Sequence, residues 1–147
     1  MRVSVQEAPF DPGAELSRFA GARSDMGAVV TFSGLVRDLP DDPLKAMEIE
    51  HYPGMTEAAL REMAQTAVAR FGLGDVLVIH RFGRLVPGEV IMMVATAAPH
   101  RKDAFDAAEF LMDYLKSRAP FWKREITAEG AEWVASKAAD EDALKRW

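Results

Sequence analysis

Residues 100–125, HRKDAFDAAEFLMDYLKSRAPFWKRE, admit one local reading: an amphipathic helix, a hard stop and a short strand. Lys102, Asp106, Glu109, Asp113 and Lys116 or Ser117 recur at spacings of four and three, which draws one polar stripe on a 3.6-residue period. Ala104, Phe105, Ala108, Leu111, Met112 and Leu115 fill the other side and are expected to face a core. Pro99 suits the first helical turn. Pro120 cannot continue the helix and pushes Ala119 out of the α region, so the chain restarts as a strand at Phe121.

This reversal is also a charge anomaly. Between Lys116 and Arg124 stand four cations and no acid, in a chain of net charge −5. A single lysine in a last helical turn is explained by the macrodipole. Two lysines, Lys116 and Lys123, flanking a break and accompanied by Phe121 and Trp122 make a candidate anion site.

At 147 residues and 49% hydrophobic, the chain is long enough for one domain, residues 1–147, with a real core. No apolar run approaches the ~20 residues of a membrane span, and the N-terminal residues lack a signal-peptide block. The expectation is a cytoplasmic protein without a membrane role. Cysteine is absent, which removes disulfides, thiolate metal sites and a cysteine nucleophile. Sulfur chemistry, if there is any, needs a partner to bring the sulfur. His51, His80 and His100 form no metal-ligand spacing, so neither a metal nor a cofactor is expected. The acidic balance argues against general nucleic-acid binding.

Along the chain, Val3 and Val5 suggest a first strand, and Asp11-Pro12 starts a helix that ends near Gly21. AVVTFSGLVR reads as a strand whose internal Gly34 marks a bulge or a close approach. Residues 38–45 form a loop, and Met47, Ile49 and His51 alternate on a half-exposed strand. Thr56 is expected to cap a helix that stops at Gly72. Val76 and Val78 mark a strand ending near Arg81, and the apolar run Glu89–Ala97 fits a central strand covered on both faces. The strand from Phe121 is expected to pair with a segment around Trp133 through the Glu129-Gly130 turn. A charged, weakly helical tail follows and ends in an exposed Trp147. About seven strands and three main helices in mixed order give an α+β domain with mostly antiparallel pairing.

Basic residues close three segments: Arg37 at a strand end, His100-Arg101 at a helix N-terminus, and the Lys116/Lys123 pair. A basic pair at a helix N-terminus opposes the macrodipole, while free N–H groups there can bind an anion. Each of these residues also has an ordinary structural explanation. The His80-Arg81 pair, with Arg84, carries less weight because strand ends often hold such residues. Glu125 fits two readings equally, one orienting a lysine by a charge-assisted hydrogen bond and one as an ordinary surface partner. From the residues alone three functions stay open: an enzyme, a module holding a phosphorylated ligand, and a single-strand nucleic-acid binder suggested by FWKR.

GAVVTFSGLVR, EIEHYPGMTEAAL, VIHRFGRLVPGE, PHRKDAFDAAEFLMDYLK and APFWKRE, in this order, resemble the catalytic (large) subunit family of molybdopterin synthase, the MoaE family, from about Gly27 to Trp147. The resemblance implies a hammerhead-type α+β fold. It implies a sulfurtransferase that inserts two sulfurs into cyclic pyranopterin monophosphate to form the molybdopterin dithiolene, a step of molybdenum cofactor biosynthesis. It further implies a homodimer at the centre of a heterotetramer. At each outer end sits a small ubiquitin-like sulfur-carrier subunit whose C-terminal Gly-Gly is a thiocarboxylate. The family's substrate site maps onto Leu35, Val36, Arg37, His100, Arg101, Lys116, Lys123, Arg124 and Glu125. Lys116 is expected to be the more directly catalytic lysine, and Lys123 the one that orients substrate, held by Glu125. Leu35 stands where some relatives carry a basic side chain, which removes one cation from the pocket edge.

Overall fold

The run after Pro87-Gly88 becomes the strand from which the rest is laid out. In the computed structural model, which describes residues 1–21, 23–135 and 137–147, this strand is β6 (Val90–Ala98), buried from Ile91 onward. Before it come β1 (Arg2–Gln6), α1 (Pro12–Ala20), β2 (Ala28–Leu35), β3 (Ala46–His51), α2 (Met55–Phe71), β4 (Asp75–Arg81) and β5 (Gly83–Leu85). After it come α3 (Arg101–Ser117), β7 (Phe121–Thr127), β8 (Gly130–Trp133), α4 (Ala138–Ala143) and a 3-10 turn at Leu144–Arg146.

Two four-stranded sheets result, ordered β1-β4-β6-β2 and β5-β3-β7-β8. The β1–β4 pair is parallel and the other pairs are antiparallel, which is the expected α+β pattern. Strand period separates the two faces of the first sheet. Val76, Val78, Met92 and Val94 point into the main core beneath α2 and α3. Leu77, Ile79, Met93 and Ala95 point the other way, against Phe10 and Phe19. β6 is therefore central and covered on both sides. At Gly34 the register with β6 shifts, which bears out the bulge; a Cβ there would lie 3.2 Å from Met92 Cγ, a close approach to a side chain and not to backbone.

Four local readings need correction. Phe105 is 60% exposed. The buried arc of α3 runs through Ala104, Ala107, Ala108 and Leu111 to Phe110, because Phe71 of α2 and Trp147 pack on that side. Trp147 is accordingly half-buried, with its carbonyl bonded to Arg70 and its indole N–H donating to Asp113. Thr56 is not a cap: Gly54, at φ 82°, precedes the helix, and Thr56 lies fully buried inside its first turn. Pro99 stands one residue outside α3, whose N-cap is His100. Residues 38–45 do form a loop, pinned by the Asp38 carboxylate, which accepts from the N–H groups of Leu39 and Leu44 at 2.8 Å each.

Candidate active site

The hard stop at Pro120 positions the site. Lys116 lies in the last turn of α3, and the Arg118 N–H closes that turn on the Tyr114 carbonyl. β7 then runs back from Phe121, pairing with β3. With strand period two, Phe121, Lys123 and Glu125 share one face, and Trp122 and Arg124 the other. The first face lines a cavity of about 350 Å³. Leu35 and Arg37 enter it from the end of β2, His80 from β4, Leu115 and Lys116 from α3, Lys137 from the N-cap of α4 and Asp140 from its first turn. α4 is tethered there: Ser117 Oγ donates to the Asp140 carbonyl at 2.9 Å, and Arg118 pairs with Glu141 at 2.7 Å.

The cavity is electropositive. Arg37, Lys116, Lys123 and Lys137 line it against Glu125 and Asp140, and among the described residues neither Lys116 nor Lys123 forms an ion pair. Burial, reinforced by the charge of Lys116, brings the Lys123 ammonium down to about 8; Asp140 opposes part of that shift. Burial also holds His80 neutral, with its pKa pushed down to about 3 and the Lys123 charge acting in the same direction. The His80 ring stacks on Phe121, with centroids 3.7 Å apart and planes 17° from parallel. Positioned cations in a partly desolvated pocket can hold an anionic ligand and stabilise charge that develops on it.

The structure thus brings together Leu35, Arg37, Lys116, Lys123 and Glu125. Val36 is 2% exposed, and its backbone is committed to Glu89 and Gly88. Arg124 turns away from the cavity, pairs with Glu48 and lies 5.4 Å over the Trp133 ring. Glu125 makes no hydrogen bond to Lys123 among the described residues; the acid acting on Lys123 is Asp140. His100 and Arg101 sit at the opposite end of α3. At about 1.5 Å per residue, Arg101 is roughly 22 Å along the helix from Lys116. Lys137 and Asp140 do not figure among the sequence expectations, and His80 figures there only within a basic pair of lesser weight. Alternation with Val76 and Val78 places His80 on the inward face, a signal that was there to read.

The described residues include no group of three potential metal ligands, and no helix among them is long and apolar enough to cross a membrane. Residues 5–118 match the family described as MoaE protein. The chain is 66% identical over 147 residues to the molybdopterin synthase catalytic subunit of Cereibacter sphaeroides, with all of both chains covered. Among solved structures it is similar to the molybdopterin biosynthesis MoaE protein from Burkholderia ambifaria, at TM-score 0.84 and 48% identity, covering 99% of this chain and 96% of that one. It is also similar to molybdopterin synthase from Staphylococcus aureus, at TM-score 0.81 and 29% identity, covering 89% and 95%.

Proposed function

The chain belongs to the MoaE family, that of molybdopterin synthase catalytic subunits, and from this premise we propose that its cationic cavity is where sulfur is inserted into cyclic pyranopterin monophosphate. The observation that carries this reading is the placement of Lys116 and Lys123, from either side of Pro120, on one cavity where neither forms an ion pair among the described residues. The chain has no cysteine, so the sulfur arrives on another molecule. We take the donor to be the C-terminal Gly-Gly thiocarboxylate of a small ubiquitin-like carrier. That group is itself an anion and suits the same cations. Two transfers complete the dithiolene, and the reaction is placed in the cytoplasm.

Arg37 and the two lysines hold the phosphate and the incoming thiocarboxylate. The thiocarboxylate sulfur attacks an oxygen-bearing carbon of the pterin side chain, the C–S bond forming as that C–O bond breaks and its oxygen leaves as phosphate or water. Water then cleaves the resulting thioester and returns the carrier as its carboxylate. Fixed cations stabilise the charge that develops better here than in water. Both lysines keep catalytic places. Lys123, brought to about 8 by burial and then by the charge of Lys116, is suited to exchanging a proton near neutral pH. The more direct role expected of Lys116 is therefore reassigned to Lys123, and Lys116 supplies the neighbouring charge.

His100 and Arg101 belong to the family's substrate site, yet one chain holds them far from its own cavity. We therefore assign them to the cavity of a second copy, which makes a homodimer part of the proposal. The exposed Phe105, one turn beyond Arg101, supports an apolar contact near that helix end. The deciding experiment combines the protein, the thiocarboxylated carrier and cyclic pyranopterin monophosphate. Dithiolene product appears with all three and not when the carrier is left out. Product without a sulfur donor contradicts the reading.

A further inference from the structure

His80 faces the cavity, and the reading above gives it no task. It lies one residue from the end of β4 and is 4% exposed. Two contacts fix its ring. Nδ1 is 2.7 Å from the Arg81 carbonyl oxygen. A carbonyl only accepts, so Nδ1 carries the proton and donates, and Nε2 holds the lone pair. One ring face lies flat on Phe121. Arg81 is itself anchored, donating from Nε and Nη2 to the Glu7 carbonyl at 3.0 Å each.

Nε2 makes no hydrogen bond to protein among the described residues, nor is it one of the side-chain atoms sealed off from solvent without a partner. His80 itself lines the cavity, and Nε2 is its one polar side-chain atom not committed to a partner among the described residues. The other polar side chains named around that cavity are charged: Arg37, Lys116, Lys123 and Lys137 only donate, and Glu125 and Asp140 bring negative charge. A neutral acceptor at a fixed angle is a different kind of group. It can receive an N–H from an uncharged part of a ligand without adding charge to the site.

We propose that His80 reads the heterocycle: Nε2 accepts a hydrogen bond from a ring N–H of the ligand whose anionic part lies on Arg37 and the lysines. The identity of that ligand as a pterin phosphate rests on the sulfur-transfer reading; the presence of a neutral acceptor beside an anion site does not. Protonation would abolish the acceptor. The low basicity of this buried imidazole keeps it available throughout the neutral range.

The test uses two probes, cyclic pyranopterin monophosphate and inorganic phosphate, titrated into folded protein. His80→Phe keeps a flat ring against Phe121 but has no acceptor; His80→Gln returns an acceptor oxygen. The expected result is pterin binding weakened about tenfold in His80→Phe, as for an N–H left without its partner. Phosphate binding stays unchanged, and His80→Gln recovers most of the loss. In the wild-type protein, the ¹⁵N resonance of His80 Nε2 shifts on adding the pterin and not on adding phosphate, a readout that needs no variant to fold. Equal pterin affinity in wild type and His80→Phe, equal weakening of both probes, or an unmoved Nε2 resonance overturns this assignment alone. Wild-type protein that does not bind the pterin overturns it together with the sulfur-transfer reading.

Discussion

The Thr56 hydroxyl donates to the Pro120 carbonyl at 3.3 Å, joining two residues 64 apart in sequence. The same oxygen accepts the Tyr52 N–H at 3.0 Å. One fully buried side chain thus ties the start of α2 to the break that aims Lys116 and Lys123. Thr56→Val keeps the shape and removes both bonds. It is expected to destabilise the fold by about 1–3 kcal/mol, the cost of stranding buried polar groups. Urea denaturation with an unchanged m-value checks this, and a variant as stable as wild type contradicts it.

His80 makes stability depend on acid. Its folded pKa, about 3, lies below the ordinary 6.5, so between these values the unfolded chain binds a proton that the folded chain does not. Stability from this group is complete above about 6.5 and is lost as pH falls towards 3. The slope approaches about 1.4 kcal/mol per pH unit inside that window. His80→Phe should flatten the acid limb relative to wild type when unfolding is followed at pH 4, 5, 6 and 7. Parallel acid limbs in the two proteins would show that His80 is not buried neutral.

Much of this was legible because local rules and tertiary packing agreed. Pro120 dictated the reversal, Gly34 the bulge and Gly72 the left-handed helix end. The apolar run at β6 signalled a strand covered twice. Where packing chose between two faces that local pattern left equal, the reading failed. Phe105 and Phe110 lie at either margin of the apolar arc of α3, and only the approach of Phe71 and Trp147 decides which is buried. The site divides in the same way. Strand alternation separates Lys123 from Arg124, but no local pattern shows that Lys137 and Asp140 fold back onto the cavity. Helix length alone would have warned that Arg101 and Lys116 do not meet within one chain.

Lys123 adds a second pH dependence, at the alkaline end. Its folded value of about 8 lies below the ordinary 10.5, so the ammonium is present below about 8 and lost above it. Anion binding should weaken as pH rises through about 8, while folding stability rises between about 8 and 10.5, where only the unfolded chain holds the proton. Lys123→Met should remove both trends. Phosphate titrations at pH 6 to 10 on the two proteins check this; a pH-independent wild-type affinity contradicts it.

The two-copy assignment predicts complementation. Arg101→Ala and Lys116→Ala each damage a different part of the proposed composite site. Alone, each should be nearly inactive. After mixing and subunit exchange, heterodimers contain one cavity with neither lesion, and activity should return to a sizeable fraction of wild type. No recovery despite demonstrated exchange would place both residues in one copy's site or outside it.

The most direct measurement is single-turnover dithiolene formation by Lys116→Ala and Lys123→Ala, each first shown to be folded and able to bind the thiocarboxylated carrier. The account predicts that both lose at least about a hundredfold in rate, the scale of a removed charge-stabilising or proton-transferring group, while carrier binding persists. Wild-type rates in both variants would contradict it and leave the cavity without a catalytic role.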